Sequence, residues 1–299
     1  MAQRKLAAMV SGGLMVLSVI AALTVGLNFG IDFRSGTLME VRTPEAVDLG
    51  PLRAEMAGLG LGEVALQEFG APNDLMIRIQ RQSDVDDNAE ALAVETVQQK
   101  LIELYGDGVN VRRTEFVGPK VSGELLRAGI FAVSFALIAI LVYIWLRFEW
   151  QFGVCAVLAL IHDLVLTIGL FAVTQLEFNL ATIAALLTIV GYSLNDTVVV
   201  FDRVRDNLRR YKKIPMVELL DRSLNETLAR TFVTSITTLL ALVALFVIAG
   251  GTIQGFTFAL IWGVLIGTYS TLYIAAPALL ALNLRQEGEA EGKAPVPAS

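Results

Sequence analysis

LATIAALLTIVGYSLNDTVVVFDRVRDNLRRYKK, Leu180 to Lys213, decides how the chain is read. Its first fifteen residues, Leu180–Leu194, carry no charge, and the run stays apolar to Phe201 except around Asp196. At 1.5 Å per residue, the stretch Leu180–Phe201 is long enough to cross a hydrocarbon core of roughly 30 Å. From Asp202 onward charges crowd together, as they do where a helix leaves the bilayer. The stretch therefore reads as a membrane span with an ionisable acid inside it.

Five other apolar runs have the same character: about Leu6–Leu27, Ala128–Leu146, Phe152–Val173, Thr231–Ala249 and Phe256–Leu282. Of the 299 residues 55% are hydrophobic and only 17% charged, where a soluble protein has nearer a quarter charged. The first run follows Arg4 and Lys5 and outlasts the 7–15 residues of a signal-peptide core, so it reads as an uncleaved anchor. One cysteine, Cys155, and one histidine exclude a disulfide framework and a multi-histidine or thiolate metal centre. No cofactor, metal or nucleic-acid partner is expected.

Orientation follows from the short connections. Thr174–Asn179 and Gly250–Gly255 hold no Lys or Arg, whereas Arg4, Lys5, Arg147 and the cluster from Arg203 to Arg230 lie at the other ends of the spans. Excess Lys and Arg mark the cytoplasmic side, so both termini are expected there and residues 28–127 outside. Between segments 4 and 5, Met216, Leu219, Leu220, Leu224 and Leu228 form one helical stripe, which suggests a short amphipathic helix near 215–230 lying on the inner membrane face. Residues 285–299 are polar and rich in Ala, Pro and Gly, the composition of a disordered tail.

The outside segment has its own order. Strands are expected at Gly36–Thr43, Glu63–Phe69, Asp74–Gln80 and Asn110–Val117, with a turn at GAPN (70–73) and helices at Glu45–Leu59 and Asp87–Tyr105. The order β-α-β-β-α-β is that of a ferredoxin-like α+β domain, expected to fold without the membrane. The domains are thus residues 1–27 (cytoplasmic start and segment 1), 28–127 (external domain), 128–284 (segments 2–6) and 285–299 (tail).

Three polar intrusions stand inside the spans. His162 and Asp163 lie in the middle of segment 3; Asp196 lies in segment 4 beside Asn195 and Ser193; Arg230 opens segment 5 ahead of Thr234, Thr237 and Thr238. An acid at a helix centre costs about 2.5–3.5 kcal/mol on insertion scales, so each intrusion needs a reason. Asp196 either titrates or is a buried structural acid; Arg230 either reaches it or snorkels to headgroups. His162 and Asp163 make either an interhelical hydrogen bond or a relay. Gly263 and Gly267 form a G-x-x-x-G, most simply a close helix contact.

Longer motifs narrow the choice. GYSLNDTVVVFDRVRDN (Gly191–Asn207) resembles the fourth transmembrane segment of the SecF family of bacterial protein-export subunits. GIDFRSGTLMEVR (Gly30–Arg42), EFVGPKVSGEL (Glu115–Leu125), VYIWLRFEWQFG (Val142–Gly153) and TLARTFVTS (Thr227–Ser235) are similar to that family as well. The family usually has F-T-G-G-T where this chain has F-R-S-G-T, Phe33–Thr37, so Arg34 and Ser35 depart from it.

The resemblance implies six transmembrane helices forming half of a resistance-nodulation-division (RND) transporter in the bacterial inner membrane. It implies SecD, the SecY-SecE-SecG channel and YajC as partners. Exported unfolded polypeptides would be the cargo and the proton motive force the energy source, with no hydrolytic chemistry of the chain's own. It places the proton pathway at Asp196 and Arg230, with Asn195, Asp163, His162 and Thr234 as further candidates. A charge crossing 100 mV releases ~2.3 kcal/mol, enough to bias a domain movement. The rival readings are an RND-type half-exporter of small molecules or lipids, a non-conducting scaffold, and an intramembrane aspartyl protease using Asp163 and Asp196. The last lacks the G-x-G-D pattern, and its two acids sit roughly 9 Å apart in depth when counted from the span ends at 1.5 Å per residue.

Overall fold

The computed structural model describes residues 4–62, 64–69, 71–80, 87–248 and 251–282. The expected disordered tail, 285–299, lies outside the described residues. Among the described residues six helices are long and apolar enough to cross a membrane. They are α1 (Arg4–Thr24), α4 (Pro119–Arg147), α5 (Trp150–Thr174), α6 (Leu180–Arg210), α7 (Met216–Ile248), and α8 (Gly251–Ser270) continued through a π-helical turn, Thr271–Ala275, into α9 (Ala276–Ala281).

Local chemistry sets several ends. Pro119 opens α4 at a position where its missing N–H costs nothing. Asn179 caps α6: its side chain accepts from the Thr182 N–H while the Thr182 hydroxyl accepts from the Asn179 N–H. Arg209 and Arg210 close α6, opposite in charge to the helix C-terminus. The π turn precedes Pro277, which supplies no N–H to a carbonyl one turn earlier; the Ala276 N–H instead reaches back five residues to the Thr271 carbonyl.

Between α1 and α4 stands a small domain of four antiparallel strands, in spatial order β2-β3-β1-β4, with β1 Gly36–Arg42, β2 Val64–Phe69, β3 Ala71–Gln80 and β4 Asn110–Val117. Helices α2 (Leu49–Ala57) and α3 (Asp87–Tyr105) cover one face. Alternation puts Met39, Val41, Leu75, Ile77 and Ile79 on that face, where they pack with Leu52, Met56, Val97 and Leu101. Residues expected in the GAPN turn begin β3 instead: Ala71 already pairs with Phe69 across a bulge, so the hairpin is tighter than its composition suggests. Gly106, at φ +79, ends α3.

The helix bundle has two apolar clusters. Near the sheet domain, Phe171, Phe178, Leu186, Ile189 and Leu260 pack together with Phe33. At the opposite end Phe148, Phe152, Phe201 and Val204 pack with Leu219, Leu220 and Leu279. This second cluster corrects the expectation of a separate interfacial helix. The stripe begun by Met216 and Leu219 is the first part of α7, continuous with the span, and Leu219 and Leu220 are fully buried against protein. The connection from α6 shrinks to residues 211–215.

Candidate functional site

Between the two apolar clusters lies a polar layer built on α5, α6 and α8. Asp163 is fully buried there. Its Oδ2 accepts hydrogen bonds from Ser193 Oγ on α6 (2.7 Å) and Ser270 Oγ at the end of α8 (2.8 Å). Its Oδ1 accepts from His162 Nδ1 (3.0 Å). Charge-assisted bonds of this kind are the strong ones, and here three donors converge on one carboxylate. Nearby, the Thr197 and Thr271 hydroxyls meet at 2.9 Å. The His162 ring stacks on Tyr269, centroids 6.1 Å apart, and the Tyr269 hydroxyl meets Ser11 Oγ of α1 at 2.9 Å.

Close helix packing makes these bonds reachable. Gly263 and Gly267 face α6, as their spacing suggests: a Cβ on Gly267 would come 3.0 Å from Ser193 Cβ. Gly267 therefore lets Ser193 sit deep enough to touch Asp163.

Asp196 lies one turn further along α6 on the same face as Ser193 and is 3% exposed. Its Oδ2 is buried with no hydrogen-bond partner among the described residues, unlike either oxygen of Asp163. On α7, Arg230 is near enough for its charge to be felt at this carboxyl, and Thr234 lies beside it with its hydroxyl donating to the Arg230 and Thr231 carbonyls. Arg230 is on the exposed side of α7, and Thr234, one turn later, is half-buried.

The expected residues thus fall into two sets. Asp196, Arg230 and Thr234 come together between α6 and α7; His162 and Asp163 join a neighbouring network through Ser193. Asn195 turns to an exposed side of α6 and stays outside both. Because Ser193 reaches Asp163, the two acids stand only about one helical turn apart along α6, roughly 4.5 Å, closer than counting from span ends suggests. Ser270, Thr271, Thr197, Tyr269 and Ser11 were not singled out by sequence. A Ser-Thr pair six residues before Pro277 inside an apolar run is the one signal that points to the π turn and its partners. Among the described residues no group of three or more His, Cys, Asp or Glu is placed to hold a metal ion.

Where the sheet domain meets the helices, the chain after α1 is strapped to the α5–α6 loop. Gly30 N–H donates to the Phe178 carbonyl (2.9 Å), Phe178 N–H to that of Asn28 (2.8 Å), and Leu180 N–H to Asp32 Oδ2 (2.9 Å). Phe29, Phe33, Phe171 and Phe178 form one ring cluster beneath it. Beside the strap, the open face of the sheet overhangs a crevice of about 330 Å³.

Comparison with known proteins is consistent across the chain. Residues 96–285 match the family "Protein export membrane protein SecD/SecF, C-terminal", and residues 20–43 match the "SecD/SecF GG Motif". The chain is 47% identical over 283 residues to protein translocase subunit SecF of Cereibacter sphaeroides, covering 92% of this chain and 86% of that protein. It is 46% identical over 288 residues to the SecF of Rhodobacter capsulatus, with the same coverage. The crystal structure of SecDF, a translocon-associated membrane protein of Thermus thermophilus, superposes with a TM-score of 0.85 at 33% identity. That match covers 94% of this chain and 38% of the SecDF chain, so the present chain spans little more than a third of that relative. These matches run through the spans, the sheet domain and the polar layer alike, and the chain belongs to the SecF family of protein translocase membrane subunits.

Proposed function

We propose that the chain works with a SecD half in the bacterial inner membrane, using the proton motive force to assist polypeptides leaving the SecY-SecE-SecG channel. Both termini are cytoplasmic and the sheet domain is external, as the Lys- and Arg-rich ends of the spans imply. YajC is a further associate. The chain contributes no hydrolytic chemistry.

The observation that carries this reading is the contrast between two buried acids. Asp163 has both oxygens engaged by donors, which suits a fixed structural tie between helices. Asp196 has a free, buried oxygen and faces Arg230 across the α6–α7 contact. A proton arriving on Asp196 cancels its attraction to Arg230 and loosens that contact; loss of the proton restores it. Asp163, with His162, Ser193 and Ser270, keeps α5, α6 and α8 together while this happens. Thr234, whose hydroxyl donates to the Arg230 and Thr231 carbonyls, flanks the titrating carboxyl. Arg230, Thr237 and Asn195 are exposed within spanning helices, where a polar side chain wants a partner surface. A SecD half against α6 and α7 supplies it. Outside, the sheet domain follows α6 and retains the emerging chain. Two SecDF structures matching at the same 33% identity but with TM-scores of 0.85 and 0.68, the second in a "super-membrane-facing form", support such movement in this fold.

The test is export into inverted vesicles at matched protein levels, with and without a proton gradient. Asp196→Asn keeps the volume and cannot ionise, so gradient stimulation is expected to vanish while SecD still co-purifies. Arg230→Met should behave alike, and Arg230→Lys more mildly because it keeps the charge. Undiminished gradient-dependent export in Asp196→Asn would return the acid to a structural role and the chain to a scaffold.

A further inference from the structure

The sheet domain is joined to the helices by two stretches of chain. One is the strap between α1 and β1; the other is Gly118, between β4 and α4. The strap itself belongs with the helices, since its backbone bonds and rings are made to the α5–α6 loop. Something further must set how the domain sits on this base.

Arg78 is placed to do so. It lies on β3, opposite Leu38 of β1 and Ala65 of β2, on the sheet face turned away from α2 and α3. Its side chain crosses out of the domain. Nη1 donates to Asn28 Oδ1 (3.1 Å) and to the Phe29 carbonyl (2.9 Å), both in the strap. Nη2 meets Glu177 Oε2 of the α5–α6 loop at 3.2 Å. Both side chains are largely withdrawn from solvent, at 14% and 13% exposed. Gly30 makes room for the carboxylate, because a Cβ there would collide with Glu177 Oε1. A planar guanidinium bonds a carbonyl, an amide oxygen and a carboxylate at once; a lysine ammonium on its longer, flexible stem does not reproduce that fork.

The crevice lies alongside. Leu38, Glu40, Met76 and Arg113 of the sheet form one wall, and Leu176 and Phe256 belong to the helical side. Glu177 borders it as well, so the contact made by Arg78 stands at the crevice edge. Leu180, the first residue of the helix that carries Asp196, is tied by its N–H to Asp32 of the same strap. A displacement of α6 therefore reaches Glu177 and the strap together.

We propose that Arg78 is a positioning residue: it hooks the strap and the α5–α6 loop simultaneously, holds the sheet domain closed over the helices, and opens the crevice when it lets go. The hook stands on these contacts and does not depend on Asp196 carrying a proton. Because Arg78 projects from the face opposite the domain's apolar core, its replacement leaves the domain folded.

The experiment is a distance measurement on the full chain in lipid nanodiscs. Spin labels go on Gln99→Cys of α3 and Thr174→Cys at the end of α5, both exposed positions, with Cys155 buried and unreactive. The parent is expected to give one narrow distance distribution. Arg78→Gln should add a second population, raising its share on the order of tenfold or more, as expected for truncating one partner of a desolvated charge pair. Arg78→Lys should recover part of the narrow distribution by restoring the charge opposite Glu177. Arg78→Gln combined with Glu177→Gln should add little to Arg78→Gln alone, since both remove the same contact. Arg113→Gln, on the same sheet face and in the same wall of the crevice, should match the parent. A distribution for Arg78→Gln superimposable on the parent overturns the proposal, as does equal broadening by Arg113→Gln. Far-ultraviolet circular dichroism melts of each variant separate release of the hook from unfolding of the domain.

Discussion

Removing the Asp163 carboxylate should cost more stability than removing the charge of Asp196, although both acids are buried in spanning helices. Asp163→Ala leaves His162 Nδ1, Ser193 Oγ and Ser270 Oγ without their acceptor, in a layer where the residue is fully buried. Interhelical hydrogen bonds in membrane proteins average about 0.6 kcal/mol in double-mutant cycles, so the two from Ser193 and Ser270, with a similar value for the bond from His162 on the same helix, amount to about 2 kcal/mol. Soluble-protein values for stranded donors, about 1–3 kcal/mol each, would give more, but relief of the buried charge offsets part of that. A loss of about 2 kcal/mol raises the unfolded-to-folded ratio about thirtyfold. Asp163→Asn should lose less, because one amide oxygen still serves both serines and the amide nitrogen faces His162 in its other tautomer. Asp196→Asn should be near neutral, since its Oδ2 has no hydrogen-bond partner to lose and removal of a costly buried acid offsets the lost attraction to Arg230. The assay is equilibrium unfolding in mixed micelles titrated with dodecyl sulfate, followed by tryptophan fluorescence. The reasoning fails if Asp163→Ala unfolds with the parent, or if Asp196→Asn is the less stable of the two.

Two other outcomes follow from packing and charge. Gly263→Ala would drive a methyl into Ile189 of α6 and should destabilise the bundle by about 1–3 kcal/mol in the same titration, whereas Gly191→Ala, which has open space around it, should not. Residues 36–117 expressed alone should melt cooperatively and lose stability in acid partly through Asp74, whose carboxyl the bidentate Arg42 guanidinium holds below the usual range. That contribution is complete above the unfolded aspartate pKa of about 3.9 and disappears as pH falls through the lowered folded value. Asp74→Asn should flatten this part of the acid limb of melting temperature against pH, and an unchanged limb would remove the pair from the account.

The spans were legible because lipid demands long apolar runs, and α5 or α8 leave no other reading. The sheet domain was legible because period-2 alternation in Gly36–Arg42 and the Gly106 stop encode a local choice before any packing. The stripe at Met216–Leu228 misled, since an apolar stripe looks the same whether lipid or Phe201 and Leu279 cover it. Asp196 and Arg230 announced themselves as charges beside apolar runs. Ser193, Ser270 and Thr271 did not, because hydroxyls are common in membrane helices and only the neighbouring helix gives them meaning. The depth of Asp163 relative to Asp196 depends on how far α5 and α6 are offset, and no count along one helix contains that offset. Arg78 reads as an ordinary strand cation until Glu177, distant in sequence, is seen beside it.

The bond between Ser11 of α1 and Tyr269 of α8 joins positions 258 residues apart. A ribosome adding about 5–20 residues per second reaches the second partner roughly 13 to 50 s after the first. For that time α1 sits in the bilayer with its buried serine unmatched. Its other neighbour arrives sooner, because Gly169 on α5 is the surface against which Ser18 packs. Biogenesis is therefore staged: α1 can settle on α5 while synthesis continues, and the hydroxyl pair closes only once the last span is delivered. A stalled or truncated chain would keep the first contact and lack the second. The Ser11–Tyr269 pair thus marks the arrival of α8 against α1.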